Sequence, residues 1–195
     1  MPNSALPSFR LSAGTSIAQA QPPQQERVTP ESAGIAVMTD LTQVRAATVQ
    51  PGTTLSQAEQ IMIHQGVRLL FVVSQVPSVD GIVTATDLQG EKPLMRVNQR
   101  QLKFEDLTVA DVMTPLADID AIDFASLRRA NVDQVVTALV RTGRAHMLVI
   151  EHASLTSPER IRGLISKTQI ERQLGAQLPM TGMATSFAEM TAALA

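Results

Sequence analysis

The run Gly81-Ile82-Val83-Thr84-Ala85-Thr86-Asp87 places a glycine, a hydroxyl and a carboxylate where a strand would pass into a helix. Helix-start N–H groups attract phosphate, and an ionised carboxylate can accept hydrogen bonds from both hydroxyls of a ribose. Glycine allows a ligand or another backbone to approach closely. The run therefore predicts a site for the sugar and phosphate of a nucleotide. The alternative is a tight turn in which Thr86 or Asp87 is the N-cap and Asp87 only stabilises the helix start.

A second run of the same form, Gly163-Leu164-Ile165-Ser166-Lys167-Thr168-Gln169, lies in the other half of the chain. Glycine, two aliphatic residues and a hydroxyl recur in order, but the seventh residue is Gln169 instead of an acid. Ser166 and Gln169 also form a pattern typical of a helix cap. Upstream, the Val-Met-Thr sequence of 37–39 is repeated at 112–114. Self-similarity of this kind indicates an internal duplication.

The residues before the first run predict the elements that hold it in place. Thr54 and Gln57 form a capping-box pattern, and Gly66 is suited to end the helix that they begin. The apolar residues 69–73 predict a buried strand, and a turn then leads to the strand that opens at Gly81. The predicted order is strand, helix, strand, strand, helix.

The second half repeats this order. Asn131 and Gln134 predict a helix start, and Gly143 predicts its end. Strands are predicted over 147–150 and 161–166. Each half therefore predicts one βαββα repeat, and the chain as a whole has an α+β pattern.

Composition changes mark the boundaries of these repeats. We divide the chain into an N-terminal arm that is disordered or loosely docked (1–33), a first repeat (34–92), a connector with a helix from Pro93 (93–106), a second repeat (107–175) and a C-terminal tail with a short helix near Ser186 (176–195). The arm has few large apolar residues, so it cannot bury enough surface to offset the cost of ordering its backbone. We therefore expect a chain that begins near Ser32 to keep its melting temperature.

Composition also bounds the function. The formal net charge of −2 gives no electrostatic basis for nucleic-acid binding. There is no cysteine, and the three histidines lack a supporting acid cluster, so neither thiol chemistry nor a metal site is expected. No apolar run is long enough to span a membrane, and the first thirty residues lack the pattern of a secretory signal. These features predict a cytoplasmic protein, and no pattern of catalytic residues indicates an enzyme.

In these repeated motifs the chain resembles a tandem pair of CBS domains, also called a Bateman module, of the stand-alone bacterial type. The resemblance covers about residues 34–175. It implies two repeats packed sheet to sheet with pseudo-two-fold symmetry, and two clefts between them. Such clefts bind adenosine compounds such as AMP, ADP, ATP or S-adenosylmethionine, and no other cofactor is required.

The resemblance also implies roles for individual residues. Thr84 would contact phosphate and Asp87 the ribose hydroxyls of a ligand in the first cleft. Gly81, Ile82 and Val83 would lie beside the sugar and base of this ligand, and Thr39 and Thr48, from the entry segment of the same repeat, near its adenine. The remaining candidates are Ser166 as the phosphate residue of the second cleft, and Arg68 and His146 near the phosphates. Arg68 can instead be a solvated strand-edge residue, and His146 a hydrogen-bonded core residue. Because Gln169 is neutral, the first cleft is expected to bind more tightly.

Two functions fit this pattern. The first is a regulatory module that binds an adenosine nucleotide and signals to a downstream protein that the sequence does not identify. The second is a dimerisation scaffold that binds no ligand, which the neutral Gln169 favours. In either case we expect a homodimer, because Ile61 and Ile63 lie on different sides of one helix and leave apolar surface to cover.

Overall fold

The computed structural model describes residues 8–16, 26–101, 103–153 and 158–178, and the helix predicted near Ser186 lies outside them. The strands are β1 (Met38–Asp40), β2 (Thr48–Val49), β3 (Leu69–Val72), β4 (Gly81–Thr84), β5 (Thr114–Pro115), β6 (Ala121–Asp123), β7 (His146–Glu151) and β8 (Arg160–Ser166). The helices are α1 (Leu55–Gln65), α2 (Ala85–Gln89), α3 (Glu91–Arg100), α4 (Val109–Val112), α5 (Phe124–Leu127), α6 (Val132–Thr142) and α7 (Lys167–Leu174).

The two long repeat helices begin and end at the predicted residues. Thr54 accepts a hydrogen bond from the backbone of Gln57, whose side chain bonds back to the backbone of Thr54. The backbone at Gly66 is left-handed, with φ of +64°, and this ends α1. The same reciprocal cap starts α6 at Asn131, and Gly143 ends it with φ of +63°. These ends depend on local hydrogen bonds and glycine conformation, which is why the sequence predicts them.

Two helix starts differ from the predictions. The helix expected from Pro93 begins at Glu91, and Pro93 is its third residue, in the first turn where a missing N–H group breaks no hydrogen bond. At α7, Ser166 is the N-cap residue but makes no side-chain capping bond. The predicted partner, Gln169, accepts a hydrogen bond from Thr39 instead.

The strands form two four-stranded sheets in the described part of the chain, in the orders β2-β3-β4-β5 and β1-β8-β7-β6. The two repeats therefore exchange their opening strands. The opening strand of the first repeat, β1, pairs with β8 of the second, and the opening strand of the second repeat, β5, pairs with β4 of the first. Each sheet is completed by the other repeat.

The predicted α+β fold, with two βαββα repeats packed sheet to sheet, is confirmed. Along β4, Val83 belongs to the cluster between the first sheet and its helices. Its neighbour Ile82 points to the opposite side and joins Leu69, Phe71 and Leu148 in a cluster between the two sheets. The alternation of side chains along a strand thus supplies both the helix-side core and the contact between sheets.

The end of the N-terminal arm is part of the core. Val28 is 8% exposed and belongs to the apolar cluster of the second repeat, together with Ile170. Its backbone N–H donates to the carbonyl of Gln173, and the amide of Gln173 donates in turn to the carbonyl of Ala36. Leu178, which the sequence assigns to the loose tail, lies in the same cluster. The expectation that a chain beginning near Ser32 keeps its stability therefore changes.

We predict that a chain beginning at Ser32 melts several degrees below one beginning at Glu26. The shorter chain lacks Val28, and burying a side chain of this size contributes about 1.5–3 kcal/mol. For a domain of this size each kcal/mol shifts the melting temperature by roughly 2–4 °C. Thermal unfolding of the two chains measures the difference. Equal melting temperatures would mean that the Val28 contact adds nothing to stability.

None of the helices in the described ranges combines the length and apolar character that crossing a membrane requires.

Candidate functional site

The residues predicted to form the first cleft lie at the junction of β4 and α2. Thr84 is the N-cap of α2, and its hydroxyl oxygen accepts a hydrogen bond from the backbone N–H of Asp87 at 3.3 Å. One carboxylate oxygen of Asp87 accepts from the backbone N–H of Thr84 at 2.8 Å and lies 2.7 Å from its hydroxyl. The N-cap is therefore Thr84, and the assignment of Thr86 or Asp87 to that position is wrong.

The other carboxylate oxygen of Asp87 is paired with the ammonium group of Lys92. Lys92 also donates to the carbonyl oxygen of Val112 at 3.3 Å and to the hydroxyl of Thr114 at 3.2 Å. The Asp87 side chain is 13% exposed and that of Lys92 is 42% exposed. Both oxygens that a ribose would need are thus engaged within the chain, one by Thr84 and the other by Lys92, which the sequence did not single out.

Strand exchange decides which hydroxyls lie in which cleft. Because β5 pairs with β4, Thr114 stands beside Lys92 and Asp87 in the first cleft. Because β1 pairs with β8, the hydroxyl of Thr39 lies in the second cleft and donates to the side-chain oxygen of Gln169 at 2.8 Å. The expectation that Thr39 lies in the same cleft as Thr84 and Asp87 is wrong.

The other residues predicted near the base and sugar are placed as follows. Thr48 pairs with Phe71 in the first sheet, two strands away from β4, and lines an apolar cavity between the sheets. Val83 is fully buried in the helix-side cluster, so its side chain serves the core. Gly81 faces the backbone of Thr114 at close range. The space left by the absent side chain is used by the exchanged strand.

The second cleft has a different chemistry. Ser166 is the last residue of β8, at the position that matches Thr84 in β4, and Gln169 matches Asp87. Lys167 lies 3.4 Å from the carboxylate of Glu171, and both side chains are largely buried. In place of a carboxylate this cleft holds a neutral amide whose oxygen already accepts from Thr39.

Arg68 and His146 lie where the two clefts meet. Arg68 directly precedes β3, and its carbonyl accepts from the backbone N–H of Ala85 at 3.0 Å. His146 begins β7 opposite Ser166. Burial lowers the pKa of His146 below its ordinary value, the positive charge of Arg68 lowers this pKa further, and the carboxylate of Asp87 opposes both.

His146, Arg68 and Asp87 are thus close enough to interact electrostatically, although His146 comes from the second repeat and the other two from the first. Since its pKa is lowered, His146 is neutral at neutral pH and can donate or accept a hydrogen bond there. Arg68 is exposed and keeps its charge. The structure thus brings together Thr84, Asp87, Arg68 and His146 from the predicted set, and adds Lys92 and Thr114. A lysine five residues beyond Asp87 in a polar helix resembles any solvated lysine, so no pattern in the sequence distinguishes it.

Comparisons with known proteins are consistent with this architecture. Residues 36–91 match the family model described as CBS domain. A comparison with curated protein sequences gave no match.

Among solved structures, the chain is similar to an uncharacterized conserved protein from Pyrococcus horikoshii. The TM-score is 0.55, the sequence identity is 18%, and the match covers 78% of this chain and 98% of the other. It is also similar to CBSX2 of Arabidopsis thaliana in complex with AMP, with a TM-score of 0.50, 18% identity, and coverage of 72% and 93%.

A third similar structure is the CBS domain of a bacterial CNNM/CorC family Mg²⁺ transporter in complex with ATP. Its TM-score is 0.50 at 13% identity, and the match covers 76% of this chain and 90% of the other. At these identities the likeness concerns the fold.

Proposed function

We propose that this chain, which carries a CBS domain over residues 36–91 and has the fold of a tandem CBS-domain pair, is a regulatory module that binds an adenosine nucleotide. It would act in the cytoplasm and pass the signal to a partner protein, without catalysis of its own. AMP, ADP and ATP are the ligands that we favour. Similar folds are described in complex with AMP and with ATP, which supports this choice.

The observation that carries the proposal is the meeting of a hydroxyl, a carboxylate and cations in the first cleft. Thr84 and Asp87 are fixed by their mutual hydrogen bonds at the start of α2. Lys92 and Arg68 supply positive charge nearby. A carboxylate for the ribose and cations for the phosphate are the groups that a nucleotide requires.

Binding requires a rearrangement that we place at Lys92. Its ammonium group now neutralises the carboxylate oxygen that a ribose hydroxyl would approach. We infer that Lys92 leaves Asp87 when the nucleotide arrives and turns toward the phosphate. This exchange replaces one charge-assisted interaction by another, so its net cost is small.

The second candidate is a scaffold that binds no ligand. The hydrogen bonds of Asp87 and Gln169 within the chain favour it, because both candidate ribose acceptors are already satisfied. In this case the Asp87–Lys92 pair only ties α3 and β5 to the first repeat.

Thermal shift and calorimetry with AMP, ADP, ATP, S-adenosylmethionine, adenosine and GMP separate the two candidates. For a binding module we expect the melting temperature to rise with nucleotide concentration, since a ligand at 100 times its Kd adds about 2.7 kcal/mol of stability. GMP is the control for recognition of the base. An equal response to GMP and AMP, or none to any compound, would favour the scaffold.

We also propose that the protein is a homodimer that associates through the outer helices. Ile61 packs against the core of the first repeat, whereas Ile63 on the same helix is 64% exposed. An exposed isoleucine on a helix of this kind is suited to a contact with a second copy. Light scattering should show a dimer for the natural chain and a monomer for Ile63→Asp. Val44→Asp, at an exposed valine outside the helix, is the control and should stay a dimer. A natural chain with a mass near 21.0 kDa would contradict the proposal.

A further inference from the structure

A cavity of about 770 Å³ lies between the two sheets, at the end opposite the clefts. Residues 76–79, between β3 and β4, and residues 158–159, just before β8, also line it. The inner walls come from the facing surfaces of both sheets, and their main members are Phe71, Val73, Leu148, Ile150, Val79 and Ile161. The volume falls in the range of about 300–1,000 Å³ that small-molecule sites occupy.

Both repeats contribute equivalent residues to the cavity. Corresponding residues of the two segments that cross between the sheets line it in pairs, Leu41 with Leu116 and Ala46 with Ala121. Thr84, Asp87 and His146 are not among the described lining residues. Thr48, the one nucleotide candidate in the lining, lies in β2, two strands away from β4. The buried cluster that includes Leu69 and Ile82 lies between the sheets toward the clefts. The cavity is therefore separate from the groups that carry the proposed nucleotide site.

The chemistry of the walls selects the ligand. The lining is mainly aliphatic, and Phe71 is its one aromatic residue among the described residues, so a flat aromatic ring finds no stacking partner opposite. Among those residues the charged side chains are Glu159 and Arg160. Each is already paired, Glu159 with His152 at 2.8 Å and Arg160 with Glu151 at 2.7 Å.

No buried side-chain polar atom of the described lining residues lacks a hydrogen-bond partner. The buried side-chain atoms without a hydrogen-bond partner in the described residues are Nε of Arg162 and Oε1 of Gln173, and neither residue lines the cavity. Apolar walls that face a gap lose dispersion contacts, which an apolar occupant restores. A neutral occupant fits best, since Glu159 and Arg160 are already paired with His152 and Glu151.

We propose that this cavity binds a small, neutral aliphatic molecule, such as a chain of about ten carbons, whose apolar transfer from water drives binding. Such a ligand would contact both sheets at once. It would therefore stabilise the contact between the repeats from the end opposite the nucleotide clefts.

The test uses the full chain, the neutral fluorophore N-phenyl-1-naphthylamine and 1-decanol. We expect saturable fluorescence enhancement, displacement of the fluorophore by decanol, and a melting temperature that rises with decanol concentration. Ala46→Phe and Ala121→Phe place a ring in the cavity from either repeat. Each should weaken binding of the fluorophore at least tenfold and leave the response to AMP unchanged.

Val44→Phe is the matched control, because Val44 lies in the same crossing segment as Ala46 but is 47% exposed and outside the lining. It should bind the fluorophore as the natural chain does. Ala121 is exposed at the rim, so its variant is expected to fold even where Ala46→Phe does not. The proposal is overturned if the natural chain shows no saturable binding. It is also overturned if folded Ala121→Phe binds the fluorophore with an affinity within twofold of that of the natural chain. Fluorophore binding that appears only when a dimer dissociates would overturn it as well.

Discussion

Gly81→Ala is expected to lower the free energy of unfolding by about 2–3 kcal/mol, a large effect for one methyl group. A Cβ atom at position 81 would overlap the carbonyl oxygen of Thr114 and lie 3.1 Å from Cα of Pro115. Both atoms belong to the backbone of β5, so no side-chain rotation relieves the overlap. The strand from the second repeat must move away from β4, which weakens the pairing of Ile82 with Thr114.

Urea unfolding measures this effect, and Gly52→Ala is the matched control. A Cβ atom at Gly52 meets no other atom within 4 Å, and its backbone is not in the left-handed region. We expect the control to change stability by less than about 0.5 kcal/mol, as for substitutions away from structural features. If Gly81→Ala were as stable as Gly52→Ala, the close approach of β5 would not be a determinant of the fold.

Asp87→Asn is expected to weaken nucleotide binding by a factor of ten to a hundred. Charge-assisted hydrogen bonds contribute about 1.5–3 kcal/mol, whereas a neutral one contributes about 1 kcal/mol. Since about 1.4 kcal/mol corresponds to a factor of ten in affinity, the loss of two charged contacts gives the expected range. Calorimetry with AMP measures it directly. The second cleft, with Gln169 in place of the acid, should contribute little binding in either protein.

The chain offers an internal control for this experiment. Asp111 makes the same cap with Thr108, accepting from its backbone N–H and lying beside its hydroxyl, both at 2.9 Å. Its other oxygen is paired with Arg100, as that of Asp87 is with Lys92. Asp111→Asn therefore loses the cap and the ion pair without touching a cleft.

Both asparagine variants should lose similar stability, and only Asp87→Asn should lose affinity. Full affinity in Asp87→Asn would remove the ribose role from this residue and leave it as a helix cap. An equal loss of affinity in Asp111→Asn would mean that nucleotide affinity depends only on the stability of the protein.

The parts of this structure that the sequence predicts are those set by neighbours in the chain. The caps at Thr54 and Asn131 are examples, because each depends on a residue three positions away. The placement of Thr39 was wrong because it depends on the pairing of β1 with a strand near the other end of the chain. A strand of three residues carries no signal for its partner.

The sites follow the same rule. Arg68 and His146 were expected near the phosphates from the family resemblance, and the structure places them close to each other and to Asp87. Lys92 was missed because its partners Asp87 and Thr114 come from two different repeats. The missing cap at Ser166 has the same cause, since the hydroxyl of Thr39 reaches Gln169 from the exchanged strand.

The exchange of strands also sets an order on folding during synthesis. The residues of β1 leave the ribosome early, but their partner β8 is made only near the end of the chain. Until then β1 has no partner, and of the second sheet only β6 and β7 can pair. The first sheet can therefore be completed by β5 before the second is closed. Contacts so distant in sequence are slow to form. The duplicated halves therefore fold as one unit, and the last step of folding pairs β1 with β8.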